Sequence, residues 1–360
     1  MPPIEGTAAG TADGKVVSLD GVDTDTAGRQ NLGPIGLSSG APGEDRVPEV
    51  PGSRFDLAKP TFSLHAEPTG KSAVVTGATA GIGFQTARLL ALRGATVLIT
   101  GRDPARGADA VRAIRELAGH GQVEFVPVDH STIAANESLA RLIASRFDHL
   151  DVLVNNVGGI FPKRLLTEDG YEMTLAVNFL APFVLTEALI PLLATRSGQV
   201  RCVNVVSSSF KMTKGDPFDD VQAEKNYVGI YVHGRAKLFT LLWTMGVARR
   251  VSPGELIATT VNPGMAWTPM TQSLTPEAVP AWRYIFPIVR FFQRRADPVR
   301  AARHCEALVF AEPADVVGRY FDGNERRELP RRFADSRFPE RVECVGNELR
   351  AAAKSAQITR

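Results

Sequence analysis

Cysteine is scarce in this 360-residue chain, and the three present, Cys202, Cys305 and Cys344, are widely spaced and odd in number. Neither a disulfide framework nor a cysteine-based zinc site is predicted, and a reducing compartment, the cytoplasm, is the expected location. His130 and His149 have no second ligand at metal spacing, so no metal is expected and both are assigned surface or capping roles. Charge of one sign is lacking too. The 41 basic and 39 acidic residues leave +2 and are mostly interspersed, which gives no footing for a nucleic-acid partner. No run approaches the ~20 apolar residues that cross a bilayer, so no transmembrane segment is predicted.

What the chain does have is apolar mass, 44% of its residues, enough for one substantial core. That mass is unevenly placed. Residues 1–68 are rich in Gly, Pro, Ala, Thr and Asp, with apolar residues scattered singly, and read as a disordered leader. From Lys71 the pattern changes. The apolar run Ser72–Val75 stops at Thr76-Gly-Ala-Thr-Ala-Gly-Ile-Gly83 and a periodic helix follows. Strand, glycine-rich turn and helix let a backbone approach a pyrophosphate at a helix N-terminus, so Gly77, Thr79, Gly81, Ile82 and Gly83 are candidate cofactor-binding residues.

The next strand, Thr96–Ile99, leads to Gly101-Arg102-Asp103. An acidic residue there binds a ribose 2′-hydroxyl and an arginine a 2′-phosphate, so Arg102 points to NADP, while Asp103 keeps NAD open. A helix with Ala108, Val111, Ile114 and Leu117 on one face leads to the strand Val123–Val128. Asp129 at its end is a candidate for the adenine amino group or a cap for the next helix. A further helix, Leu139–Phe147, and strand, Asp151–Val154, end at Asn155-Asn156-Val157-Gly158. Four successive βα units predict a Rossmann-type doubly wound parallel sheet with its ligand at the strands' carboxyl ends.

Together with Asn178 in VNFLAPF, the run Val203–Ser209 and Asn262-Pro263-Gly264, these motifs resemble the short-chain dehydrogenase/reductase superfamily over residues 69–355. Pro217–Tyr227 is similar to an insert of its retinol dehydrogenase-like branch. The resemblance implies an NADP(H)-dependent oxidoreductase. In it the glycine turn holds the diphosphate, Asn155 borders the adenosine and Asn178 supports a proton-relay water. Ser208 binds the substrate carbonyl, Lys237 the nicotinamide ribose and Thr268, after Pro263 and Gly264, the carboxamide. It also implies a homo-dimer or tetramer paired through helices near Tyr171–Ala194 and Tyr227–Arg249.

One position departs from the family. Its active-site tyrosine stands four residues before the lysine, and here that residue is His233. A helix sets His233 and Lys237 on one face, whereas Tyr231 and Tyr227 lie on others. A nearby ammonium disfavours imidazolium, and a neutral imidazole keeps one N–H donor, though a shorter reach than a phenol. Three functions remain open: reduction of a ketone or aldehyde, or the reverse oxidation, with His233 as acid/base; a non-redox cyclisation, elimination or isomerisation using His233 and Ser208; or cofactor binding without catalysis. Aromatic and apolar residues crowd about 265–296, including Trp267, Phe291 and Phe292. That segment is expected to be a lid for a bulky apolar substrate such as a compound of secondary metabolism, with a subunit contact or membrane-surface helix as alternatives.

Overall fold

The computed structural model describes residues 70–119, 122–193, 199–272 and 286–358. The expected leader, residues 1–68, and the middle of the expected lid lie outside them.

Strand β1 (Ser72–Val75), helix α1 (Gly81–Leu92), β2 (Thr96–Gly101), α2 (Pro104–Ala118), β3 (Val123–Pro127), α3 (Ile133–Arg146) and β4 (Val152–Asn155) form the first half. The second half contains α4 (Met173–Leu175), a π-helical turn (Ala176–Leu180), α5 (Ala181–Leu193), β5 (Val200–Val205), a 3₁₀ turn (Ser208–Met212), α6 (Gly229–Arg250) and β6 (Leu256–Asn262). Four helices, α7 (Pro269–Gln272), α8 (Phe286–Gln293), α9 (Pro298–Val309) and α10 (Pro313–Val316), precede β7 (Tyr320–Asp322), β8 (Glu325–Arg327) and α11 (Phe338–Ile358).

The strands form one sheet in the order β3-β2-β1-β4-β5-β6-β7-β8, parallel except for the last pair. Its strands are apolar and buried on both sides, as in β1 and β6, because helices cover both faces. One core lies against α1, α2 and α9 and the other against α3, α5, α6 and α11. The order reverses between β1 and β4, which opens the crevice where a doubly wound sheet binds its ligand.

Two expectations need correction. On α2 the buried face is Gly107, Ala110, Val111, Ile114 and Ala118, with Leu117 56% exposed and Ala108 on the open side. Gly107 permits this rotation: a Cβ there would lie 2.4 Å from the Phe125 ring, so the helix seats its smallest residue on the sheet. Glu325–Arg341 contains β8, the start of α11 and the buried Phe333, whose ring packs 6.2 Å from Phe210. And Met173–Leu192 is long and apolar enough to cross a membrane by length and composition; in the fold it is a core helix, mostly buried. Its rings Phe179 and Phe183 pack against Phe239 and Trp243 at 5.4 and 5.5 Å.

The terminal α11 lies over α5 and α6. A Cβ on Gly346 would meet Phe183 at 2.5 Å and one on Gly246 would meet Pro339 at 3.3 Å. Arg250 pairs with both Glu187 and Glu343. The faces expected to pair two subunits are therefore covered in part by the chain's own last helix.

Candidate active site

The glycine turn runs between β1 and α1 with φ of 62° at Gly77 and 61° at Gly81, a left-handed backbone that suits glycine. A Cβ on Gly83 would fall 2.3 Å from Asn156 Nδ2, and one on Gly81 would fall 2.9 Å from Thr268 Cγ2. The glycines let Asn156 and Thr268 pack directly against the turn, Thr268 from the loop after β6. Ile82 is half-buried on α1 against the core. Thr79 stands beside Gly101, where a Cβ would meet its methyl at 2.6 Å.

Two supports of the turn have no cofactor role predicted from the sequence. Asn156 Nδ2 donates to the carbonyls of Thr76 (2.9 Å) and Gly77 (3.1 Å). The Gly77 amide donates to Thr100 Oγ1 (3.3 Å), and Thr100 Oγ1 lies 2.7 Å from His130 Nε2. His130 Nδ1 lies 2.7 Å from Asn136 Oδ1, which only accepts, so Nδ1 carries the proton and Nε2 takes one from Thr100. His130 is buried, not on the surface, and burial lowers its pKa to about 4.

The adenosine side is assembled from strand ends. Arg102 is exposed just beyond β2. Asp103 is committed as N-cap of α2, with Oδ1 accepting from the amides of Ala105 (2.9 Å) and Arg106 (3.2 Å). Asp129 is exposed after β3 and accepts from the Ser131 amide at 3.0 Å. The Asn155 side chain is turned away from that border. It is 3% exposed, its Nδ2 donating to Asn204 Oδ1 (2.8 Å) and Thr186 Oγ1 (3.0 Å), because β4 points this residue into the core beneath α5. Pro263 is buried, and Gly264 (φ 84°) makes the bend that brings the chain toward Thr268.

His233 and Lys237 sit one turn apart on α6, and both are buried. Lys237 Nζ donates to the carbonyl of Val205 (2.8 Å), and a Cβ on Gly158 would lie 3.3 Å from Nζ and 2.6 Å from Asn178 Oδ1. Gly158 is thus the small residue at which Lys237 and Asn178 converge. Asn178 lies in the π-helical turn; its Nδ2 donates to the carbonyls of Thr174 and Gly159, both at 2.7 Å, and Thr240 Oγ1 donates to its main-chain carbonyl at 2.7 Å. Burial pushes Lys237 from 10.5 down to about 7. Burial first and the Lys237 charge second push His233 from 6.5 to about 3, so its imidazole is neutral at physiological pH.

The serine against the imidazole is Ser209, whose Oγ lies 2.9 Å from His233 Nδ1. Ser208, expected to bind the substrate carbonyl, is exposed. The 3₁₀ turn is the reason. Ser207 Oγ caps it by accepting from the Ser209 amide (3.3 Å), and with three residues per turn adjacent side chains diverge, so Ser208 faces out when Ser209 faces α6. Gly234 brings the turn close, since a Cβ there would lie 2.3 Å from the Ser209 carbonyl oxygen.

Neither tyrosine replaces the histidine. Tyr227 OH lies 3.0 Å from the Phe161 carbonyl, 3.1 Å from Thr174 Oγ1 and 3.3 Å from Glu172 Oε1, and its pKa is pushed up to about 12, chiefly by burial. Tyr231 packs against Ile230, as do Ile160, Met212 and Val228, and lies under the Lys214 ammonium on an uninterrupted helix.

Beyond Thr268, the expected lid is described at its two ends. Trp267 is flanked by Arg290 and Arg294, 5.5 and 5.8 Å from its ring, and Met265, Ile288, Phe291 and Phe292 are more than half exposed.

The short chain dehydrogenase family model matches residues 71–278. Retinol dehydrogenase 12 of Mus musculus is 31% identical over 300 residues, covering 83% of this chain and 92% of that protein. Among solved structures, a putative uncharacterized protein from Mycobacterium Paratuberculosis aligns with a TM-score of 0.60 and 26% identity, over 80% of this chain and 96% of that one. A short chain dehydrogenase from Burkholderia cenocepacia J2315 in complex with NADP aligns with a TM-score of 0.55 and 27% identity, over 71% and 97%. With the glycine cradle, the topology and this coverage in agreement, the chain belongs to the short-chain dehydrogenase/reductase superfamily, in its retinol dehydrogenase-like branch.

Proposed function

We propose that this protein is an NADP(H)-dependent oxidoreductase that interconverts a bulky apolar ketone or aldehyde with its alcohol, using His233 as the proton-transfer group. The observation that carries the reading is the pairing of a buried, neutral His233 with Lys237 on one face of α6, in a fold that carries the glycine turn. NADP is favoured because Asp103 is occupied as a helix cap, which leaves Arg102 as the group at the end of β2 for a 2′-phosphate. The relative in complex with NADP supports the same choice. The apolar side chains Met265, Trp267, Phe291 and Phe292 on the segment that begins at the cradle support a bulky apolar substrate, and a compound of secondary metabolism fits that description.

The residues fit a nicotinamide dinucleotide. Gly77, Gly81 and Gly83 would hold its diphosphate, Arg102 the 2′-phosphate, Lys237 the ribose and Thr268 the carboxamide; the bound cofactor supplies the hydride that the carbonyl carbon receives. His233 donates an N–H to the carbonyl oxygen and yields that proton as the alcohol forms. A neutral imidazole is the stronger option here, because an imidazolium would be buried beside the Lys237 ammonium. At a buried position a single well-placed donor is worth roughly a hundredfold in rate.

A second reading, non-redox proton transfer, is favoured by one observation: the Ser209–His233 contact needs no cofactor to act on an acidic C–H or a leaving group. The two separate in one assay. Purified protein is mixed with NADPH and a panel of apolar aldehydes and ketones, and reduced-nicotinamide absorbance is followed alongside product. Alcohol formed with equal loss of NADPH supports the reductase; product without NADPH loss supports the second reading.

The protein is placed in the cytoplasm as part of the same proposal. Self-association as a dimer or tetramer would have to use surfaces other than the parts of α5 and α6 that α11 covers.

A further inference from the structure

We infer that Ser209 is the positioning residue of this site: its hydroxyl donates to His233 Nδ1 and so fixes the tautomer in which Nε2 carries the proton and faces the reacting oxygen. The inference rests on the reading of His233 as the proton-transfer group. Ser209 is 7% exposed, and among the described residues its Oγ has one hydrogen-bond partner, His233 Nδ1 at 2.9 Å.

A hydroxyl brings one hydrogen and two lone pairs; a neutral imidazole brings one N–H and one lone pair. If Nδ1–H donated to Oγ, the hydroxyl hydrogen would be left in a buried place without an acceptor among the described residues. If Oγ–H donates to Nδ1, the serine's one donor is satisfied and the ring's own proton must sit on Nε2. The second arrangement leaves no buried donor unused.

Proton balance follows. As the carbonyl carbon gains hydride, the Nε2–H bond breaks and an O–H bond forms on the substrate oxygen. Nδ1 takes the Ser209 hydroxyl proton in the same movement, so the ring stays neutral; when solvent reprotonates Nε2, Nδ1 returns its proton to the Ser209 oxygen and the starting tautomer is restored. One solvent proton is consumed per alcohol formed. A ring flipped to the other tautomer would present a lone pair to the carbonyl oxygen and repel it.

Gly234 is what makes this contact available, because any side chain there would push the Ser209 carbonyl away from α6. Ser208, one residue earlier, is left to solvent and to whatever occupies the crevice.

The test has a spectroscopic arm independent of turnover. The protein with nitrogen-15-labelled histidine is compared with His233→Gln to assign the two ring signals of His233, and the protonated nitrogen is identified from its shift and one-bond proton coupling. Nε2 protonated in the native protein and a tautomer mixture in Ser209→Ala are expected; Nδ1 protonated in the native protein overturns the inference. In the kinetic arm Ser209→Ala lowers kcat roughly tenfold with KM unchanged, and Ser209→Thr, which keeps the hydroxyl, restores it. Equal kcat in Ser209→Ala and the native protein also overturns it. If the tautomer is as expected while no substrate consumes NADPH, the oxidoreductase reading fails and the Ser209 assignment stands.

Discussion

Ser209 Oγ lies 2.9 Å from His233 Nδ1, across a seam where the Ser209 carbonyl would be only 2.3 Å from a Cβ on Gly234. The buried imidazole on α6 is thus met by a close approach of the preceding turn, and Gly234 is the residue that allows this.

Gly234→Ala tests the seam. The added methyl group cannot be absorbed by a flexible side chain, because the atom it meets is backbone. The turn must move by several tenths of an ångström or more, and a misplacement of about 1 Å at a reacting centre costs on the order of a hundredfold. The expected result is kcat lowered roughly ten- to a hundredfold with a protein that still folds, measured by steady-state kinetics beside a thermal melt.

Arg102→Ala tests the cofactor choice. Removing one charged hydrogen-bonding group from a 2′-phosphate costs ~1.5–3 kcal/mol, which raises KM for NADPH about tenfold or more and leaves KM for NADH nearly unchanged. Equal effects on the two cofactors would show that Arg102 does not read the 2′-phosphate.

Stability should fall with acid earlier than the carboxylates alone dictate. His233 and His130 are depressed to about 3 and about 4 from 6.5, so the unfolded chain takes up protons below pH 6.5 while the folded chain does not. Their full contribution is present above 6.5 and is lost as pH falls toward 3 or 4. Between pH 6.5 and 5 each removes on the order of 2 kcal/mol. Glu187, whose carboxyl is raised by burial, opposes this only near the carboxylate range. Calorimetry is expected to show a Tm falling by several degrees over that window, and a shallower fall in His130→Gln. On the alkaline side Lys237 works in the same direction: its depressed pKa of about 7 makes stability rise between pH 7 and 10.5.

Much of the fold was legible in the sequence because it rests on local signals. The glycine turn, the strand runs and the one-turn spacing of His233 and Lys237 are set by residues within a few positions of each other. What escaped depends on contacts distant in sequence. Leu117 reads as an apolar-face residue, yet the fit of Gly107 against Phe125 turns α2 away from it. Asn156 lies in a motif that assigns it no role and His130 lies in none, and their roles arise only when the chain returns them to the glycine turn. Ser207, Ser208 and Ser209 are three identical residues in a row; a single 3₁₀ turn decides which one faces the histidine, and a one-residue difference in that turn lies below what spacing resolves.

The central claim is that His233 moves the proton in an NADPH-dependent carbonyl reduction. The most direct measurement follows NADPH loss and alcohol formation together, with the native protein and His233→Ala, on an apolar aldehyde or ketone that the native protein turns over. The expected result is one NADPH consumed per alcohol and a kcat at least roughly a hundredfold lower in the variant. Product formed without NADPH consumption, or a variant as fast as the native protein, would contradict it.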